Sequence, residues 1–132
     1  MRMTSRGAHR AEGGFTLVEL MVVVAVIGVL CTIAIPLYAN VQARARIAQA
    51  QADSRTLASA VSTYAAHMGS IPSSLGQLTS VATNAQGQKA GPFVATVPVA
   101  PGGWAGYSYS PNASAGTFTI TTSGDGTTVS IP

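Results

Sequence analysis

The run from Leu20 to Leu37 carries no charge, and Glu19 stands immediately before it. As a helix it spans roughly 27 Å at 1.5 Å per residue, close to the roughly 30 Å hydrocarbon core of a bilayer. Such a segment must be covered by lipid or by other chains, because a 132-residue chain has too little mass to wrap it. The composition is 47% hydrophobic and only 8% charged, against roughly 25% charged in an average soluble protein. The excess is uneven. It concentrates between Phe15 and Leu37, while the second half is rich in Gly, Ser, Thr and Pro. The chain is therefore a lipophilic segment attached to a small polar module.

Charge refines the picture. Arg2, Arg6 and Arg10 precede the apolar run with Glu12 as the only acid, an arrangement that keeps the N-terminus cytoplasmic and exports the rest. Beyond Gly14, Glu19, Asp53 and Asp125 stand against Arg44, Arg46, Arg55 and Lys89. No basic patch is interleaved with aromatics, so no nucleic-acid partner is expected. Arg44, Arg46 and Arg55 read as a solvated helix face. Cys31 is single, cannot form an intrachain disulfide, and reads as a small buried side chain.

Several N-terminal signals share a basic start and an apolar run. A cleaved secretory signal usually has an apolar region of 7–15 residues and no acid at its mouth. A lipoprotein signal needs a small residue before the cysteine, and Leu30 precedes Cys31. A plain signal anchor explains the arginines and the run, but not Gly14, Phe15 and Glu19 together.

Those residues, in GGFTLVELMVVVAVIGVL from Gly13 to Leu30, resemble the class III signal of type IV prepilins and type II secretion pseudopilins. The resemblance implies a leader of residues 1–14, cut between Gly14 and Phe15 by a membrane peptidase that also N-methylates Phe15. It implies that Glu19 serves filament assembly, and that helicity between Gly28 and Pro36 can be lost when subunits pack. The implied partners are further copies in a helical filament, minor pilins or pseudopilins, the prepilin peptidase/methylase, an inner-membrane assembly platform and the membrane itself. The implied fold is α+β, a long N-terminal helix with a small antiparallel sheet on its second half. Glycine at the cut lets a protease approach the carbonyl closely.

The rest of the chain fits that plan. Residues 15–40 form the lipophilic helix and residues 41–68 an amphipathic one, with Leu57, Val61, Tyr64 and Met68 as the buried stripe. Gly69 caps the end and Pro72 follows. A rod from Thr16 to Met68 would measure about 80 Å by rise alone. Gly28 weakens the helix, and Pro36 lacks an N–H and clashes with the Thr32 carbonyl, so a kink is expected. Residues 69–132 form the C-terminal module. Ile71 to Leu78 reads as a turn or helical turn and Val81 to Gly91 as loop. Strands are expected at Trp104–Ser110, Gly116–Thr122 and Thr127–Ile131, with turns at Pro111–Ala115 and Ser123–Gly126. The order GPF…VPVAPGGW…YSYS…GTFTI…SGDG is similar, more loosely, to the C-terminal half of the major pseudopilin of type II secretion.

Major pseudopilins hold calcium in this region, and calcium takes six to eight oxygens. Here the only acid is Asp125, which a hairpin turn explains. No metal and no other cofactor is therefore expected. Nor is an enzyme: there is no phosphate-binding GxxxxGK[ST], no Cys/His cluster, His9 lies in the leader, and His67 stands alone. Asn112-Ala-Ser matches a glycosylation sequon that a turn at Pro111-Asn112 also accounts for. The function expected is a structural filament subunit, a type II secretion pseudopilin first, with a type IV pilus subunit for adhesion, motility or DNA uptake second. A monomeric membrane-anchored periplasmic binding module is the rival of a different class.

Overall fold

The computed structural model describes residues 13–132. The leader arginines, Glu12 and His9 lie outside the described residues. Contacts divide the chain into two units, one ending at Ala39 and one comprising Asn40–Pro132.

One α-helix, α1, runs Leu17–Met68. Its start is set by Thr16, whose carbonyl accepts the first helical bond from the Leu20 N–H at 3.2 Å. Its end is set by Gly69, which takes φ 75° and donates its N–H to the Ala65 carbonyl at 2.8 Å. That is a left-handed cap that only glycine adopts without steric cost. Helix assignment continues through Gly28 and Pro36. The Thr32 hydroxyl donates to the Gly28 carbonyl at 2.9 Å, one turn before the proline.

In the first unit the side chains from Phe15 to Tyr38 are exposed, including every large apolar one. Cys31 is exposed too, contrary to its expected burial. A small thiol is buried only where something covers it, and nothing among the described residues does.

In the second unit the helix turns amphipathic. Leu57, Ala60, Val61 and Tyr64 are buried against Leu75, Leu78 and Ile120, with Met68 partly buried beside them. Leu75–Thr79 is a 3₁₀ turn, η1, whose Leu78 carbonyl accepts the N–H groups of Phe93 and Val94. A three-stranded antiparallel sheet follows a small two-stranded one. Strands β1 (Ala82–Thr83) and β2 (Lys89–Ala90) pair inside the stretch expected to be loop. Strands β3 (Ser108–Asn112), β4 (Thr117–Gly124) and β5 (Thr127–Ile131) stand in the order β3-β4-β5. Within β4, Ile120 and Thr122 are buried while Thr117 and Ser123 are exposed, the two-residue alternation of a sheet with one face inward.

Several expected boundaries move. Trp104 to Tyr107 is not strand, and Pro111 and Asn112 are strand rather than turn, paired with Phe118 and Thr117. Proline is tolerated there because β3 is an edge strand, where its missing N–H breaks no second ladder. The expected turn at Ser123–Gly126 contracts to Asp125-Gly126. Both residues have positive φ, 49° and 70°, between the paired Gly124 and Thr127. Two left-handed residues in a two-residue loop make a type I′ hairpin, whose twist matches the strands it joins.

Candidate functional site

The N-terminal motif is built around the first turn of α1. Gly13, Gly14, Phe15 and Thr16 carry no regular structure and are exposed. An added Cβ at Gly13 or Gly14 would meet nothing within 4 Å. Among the described residues nothing covers the Gly14–Phe15 peptide. Phe15 is 82% exposed.

Glu19 does not stand alone at the mouth of the apolar run. Its Oε2 accepts the Thr16 backbone N–H and the Thr16 hydroxyl, each at 2.9 Å, and the Glu19 N–H donates to the Thr16 Oγ1 at 3.2 Å. This is a reciprocal capping box, with Thr16 as N-cap and Glu19 at the third helical position. It satisfies orphan backbone donors of the first turn. The T-x-x-E spacing of Thr16 and Glu19 carries this signal in the sequence, beside the charge for which Glu19 was singled out.

Gly28 and Pro36 lie further along the same unit, both exposed. A Cβ at Gly28 would meet nothing within 4 Å, so no contact among the described residues requires glycine there. Neither residue interrupts the helix in the isolated chain.

The second unit contains a clamp that local sequence patterns do not announce. Arg46, on α1, donates from Nε to Asp125 Oδ2 at 2.6 Å and from Nη2 to Oδ1 at 2.9 Å. Trp104 donates its indole N–H to Asp125 Oδ2 at 2.9 Å. The β4–β5 turn is thereby tied to the helix by a forked guanidinium–carboxylate pair, the geometry that best suits arginine. The Arg46 hydrogen bonds, then that of Trp104, hold the Asp125 carboxyl down at about 2. Reciprocally, the bond to Asp125 raises the Arg46 guanidinium above its ordinary value. Arg46 is therefore not a solvated helix charge. Beneath the clamp, Ala50, Trp104 and Val129 form a second small core. A second tie joins the Tyr107 hydroxyl to Asp53 Oδ2 at 2.9 Å. Burial first, then that bond, pushes the Tyr107 phenol up.

These residues do not fit a calcium ion. Both Asp125 oxygens are taken by cationic or N–H donors, and no group of three or more His, Cys, Asp or Glu able to hold a metal occurs among the described residues. His67 is engaged instead with the Gln88 carbonyl, 3.1 Å from its Nε2, beside the Phe93 ring.

The described helix is long and apolar enough to cross a membrane. Comparison with known proteins adds the following. A family model described as the prokaryotic N-terminal methylation motif matches residues 9–35. Another, described as type II secretion system protein G, matches residues 38–129. A fimbrial protein of Neisseria meningitidis serogroup B is 36% identical over 88 residues, 67% of this chain and 50% of its own length. The type IV major fimbrial protein FimA of Dichelobacter nodosus is 46% identical over 52 residues, 39% of this chain and 33% of its own. A fimbrial protein of Pseudomonas aeruginosa is 47% identical over 51 residues, again 39% and 33%. The chain thus spans half or less of the length of these curated relatives. No solved structure matches.

Proposed function

This chain belongs to the type II secretion system protein G family, within the type IV pilin superfamily, and from that premise we propose that it is a pseudopilin: a filament subunit that drives protein export. The observation that carries the reading is where the protein G match lies. It covers residues 38–129, the module that follows the apolar run. The fimbrial relatives favour a second reading, a type IV pilus subunit, since three of them exceed 35% identity over their matched stretches.

In either machine the subunit is made as a membrane-anchored precursor with its module outside the cytoplasm. The peptidase cuts the open Gly14–Phe15 peptide and methylates the new Phe15 amine. The platform then extracts the subunit into a polymer in which the apolar faces of Phe15–Val41 cover one another. There the Glu19 carboxylate faces a new cation, the Phe15 amine of a neighbour. In a water-poor packing an unpaired charge is costly, so only registers that match carboxylate to amine persist.

The test is Glu19→Val as the only copy, assayed separately for trimming and for polymer. We expect a mature protein beginning at methylated Phe15 by mass spectrometry, yet no sheared or pelleted filament. Normal filaments from this variant would defeat the assembly role of Glu19, and a protein that never polymerises in the wild type would favour the anchored binding module. The two machines separate on deletion: loss of an exported protein with surface fibres intact marks the pseudopilin, and loss of fibres marks the pilus.

A further inference from the structure

The second unit spends its carboxylates internally. Asp53 accepts from Tyr107, and Asp125 is shared by Arg46 and Trp104. Arg55 and Lys89 form no ion pair among the described residues. Arg55 and Lys89 therefore face outward with no carboxylate bonded to either of them among the described residues.

One cleft gathers this character. Arg55, Thr56, Ser59, Ala60, Thr63 and Phe93 line an open groove of about 390 Å³. At about 100° per residue the five helical positions fall in one sector of roughly 140°, beside the buried stripe of Leu57, Val61 and Tyr64. The opposite wall is the Phe93 ring, set edge-on to Tyr64 with centroids 5.3 Å apart. Thr56 and Thr63 donate their hydroxyl protons to the Ala52 and Ser59 carbonyls, so in the groove they remain hydrogen-bond acceptors. No carboxylate lines it. About one helical turn beyond Thr63, outside the groove's lining, His67 meets the Gln88 carbonyl, and Lys89 follows in β2. Arg55 and His67 lie about 18 Å apart along the helix, at 1.5 Å per residue.

We infer that this groove docks an extended acidic segment of a partner protein. Arg55 takes a carboxylate, the Phe93 wall takes an apolar side chain, and the threonine hydroxyls accept backbone N–H groups. Charge complementarity selects the occupant. A second copy of this chain is the poorer occupant: its Asp125 is already paired with Arg46, its Asp53 is half-buried and bonded to Tyr107, and its Glu19 stands at the apolar run. The inference does not depend on which machine the filament serves.

The experiment uses the full chain in zwitterionic detergent micelles and a fluorescein-labelled peptide, Asp-Glu-Phe-Glu-Asp, with Lys-Arg-Phe-Arg-Lys as its charge-reversed control. The acidic peptide should bind saturably and the control should not. Arg55→Glu should weaken binding about tenfold or more, because a rim cation becomes a repulsive charge, and added salt should weaken it as well. Arg55→Lys should restore most of it, and Arg44→Glu should leave it unchanged. Arg55 is exposed, so unchanged thermal unfolding of each variant checks that the fold is intact. No saturable binding by the acidic peptide, equal binding by the control, or equal binding by Arg55→Glu overturns the inference. So does an inert peptide combined with Arg55-dependent binding to phosphatidylglycerol vesicles, which assigns the groove to lipid. Loss of self-assembly in Arg55→Glu with an inert peptide assigns it to a second copy and overturns it equally.

Discussion

Gly124 should be the least replaceable residue of the β4–β5 hairpin. A Cβ built there would run into Cγ and Cδ1 of Trp104 and lie 2.5 Å from Cδ2, whereas an ordinary contact is 3.5–4.0 Å. About 1 Å of relief is needed, and the indole cannot easily give it. Trp104 is 9% exposed, its N–H is fixed on Asp125 at 2.9 Å, and it packs on Ala50 and Val129. Overpacking of this kind costs about 1–3 kcal/mol. Alanine recovers about 0.5–1 kcal/mol that glycine loses in a strand. Gly124→Ala should therefore destabilise the unit by about 1 kcal/mol net, a fall of roughly 4–8 °C in Tm for a domain of this size. The assay is thermal unfolding followed by the fluorescence of the single tryptophan, a probe that sits at the clash itself. A double-mutant cycle isolates the cause. With Trp104→Leu as background, where the fluorescent probe is gone and all four proteins are followed by far-UV circular dichroism instead, Gly124→Ala should become neutral or mildly stabilising. An unchanged Tm for Gly124→Ala alone, or an equal cost in both backgrounds, would refute the reasoning.

Four further outcomes are expected. Residues 40–132 alone should be a soluble, folded monomer with one cooperative transition by calorimetry, because the apolar run is gone and the stripe of Leu57, Val61 and Tyr64 stays covered. In that fragment Leu57→Ala should cost about 2–5 kcal/mol in urea unfolding, since Leu57 is fully buried. Asp125 titrates near 3.8 when unfolded and at about 2 when folded, so its contribution is present above about pH 4 and disappears as pH falls toward 2; Asp125→Asn should flatten that part of the acid-unfolding curve. Tyr107 shifts the other way: its contribution is complete below about pH 10 and is lost above it, and Tyr107→Phe should remove this alkaline dependence.

Local patterns made parts of this molecule readable. The apolar run, the Leu57–Tyr64 stripe, the Gly69 cap and β5 each follow from spacing within a few turns or alternations, and each was placed within a residue. The Asp125-Gly126 hairpin was legible for the same reason, although its width was not. The misreadings share a different cause. Trp104 and Tyr107 are aromatic and look like strand, yet each serves as an anchor whose polar tip reaches a carboxylate far away in sequence. Arg46 and Asp125 are 79 positions apart, and no periodicity links them. The two-residue strands β1 and β2 are too short for alternation to appear. Pro111 reads as turn until the sheet order shows that β3 is an edge. The T-x-x-E box at Thr16 is legible locally, from a spacing of three residues.

That box changes what Glu19 has to do. A bare carboxylate at the start of an apolar helix would need an external cation before it could be tolerated. Glu19 already has two donors from Thr16, so a single membrane-bound copy can wait with its charge satisfied. The proposed trimming at Gly14 would leave both donors in place, since they belong to Thr16, and would add an amine one residue upstream. A carboxylate has about four lone-pair sites, of which these two bonds use only part. A neighbour's amine can then approach without dismantling the cap. In this view the box stabilises the start of the helix and holds the carboxylate in one orientation, while the pairing across subunits selects the register. Thr16→Val separates the two: it removes the hydroxyl but keeps the charge. Filaments should still form from it, with less helix in the first turn, whereas Glu19→Val removes both functions at once. If Thr16→Val abolished filaments as completely as Glu19→Val, the cap rather than the charge would be what assembly requires.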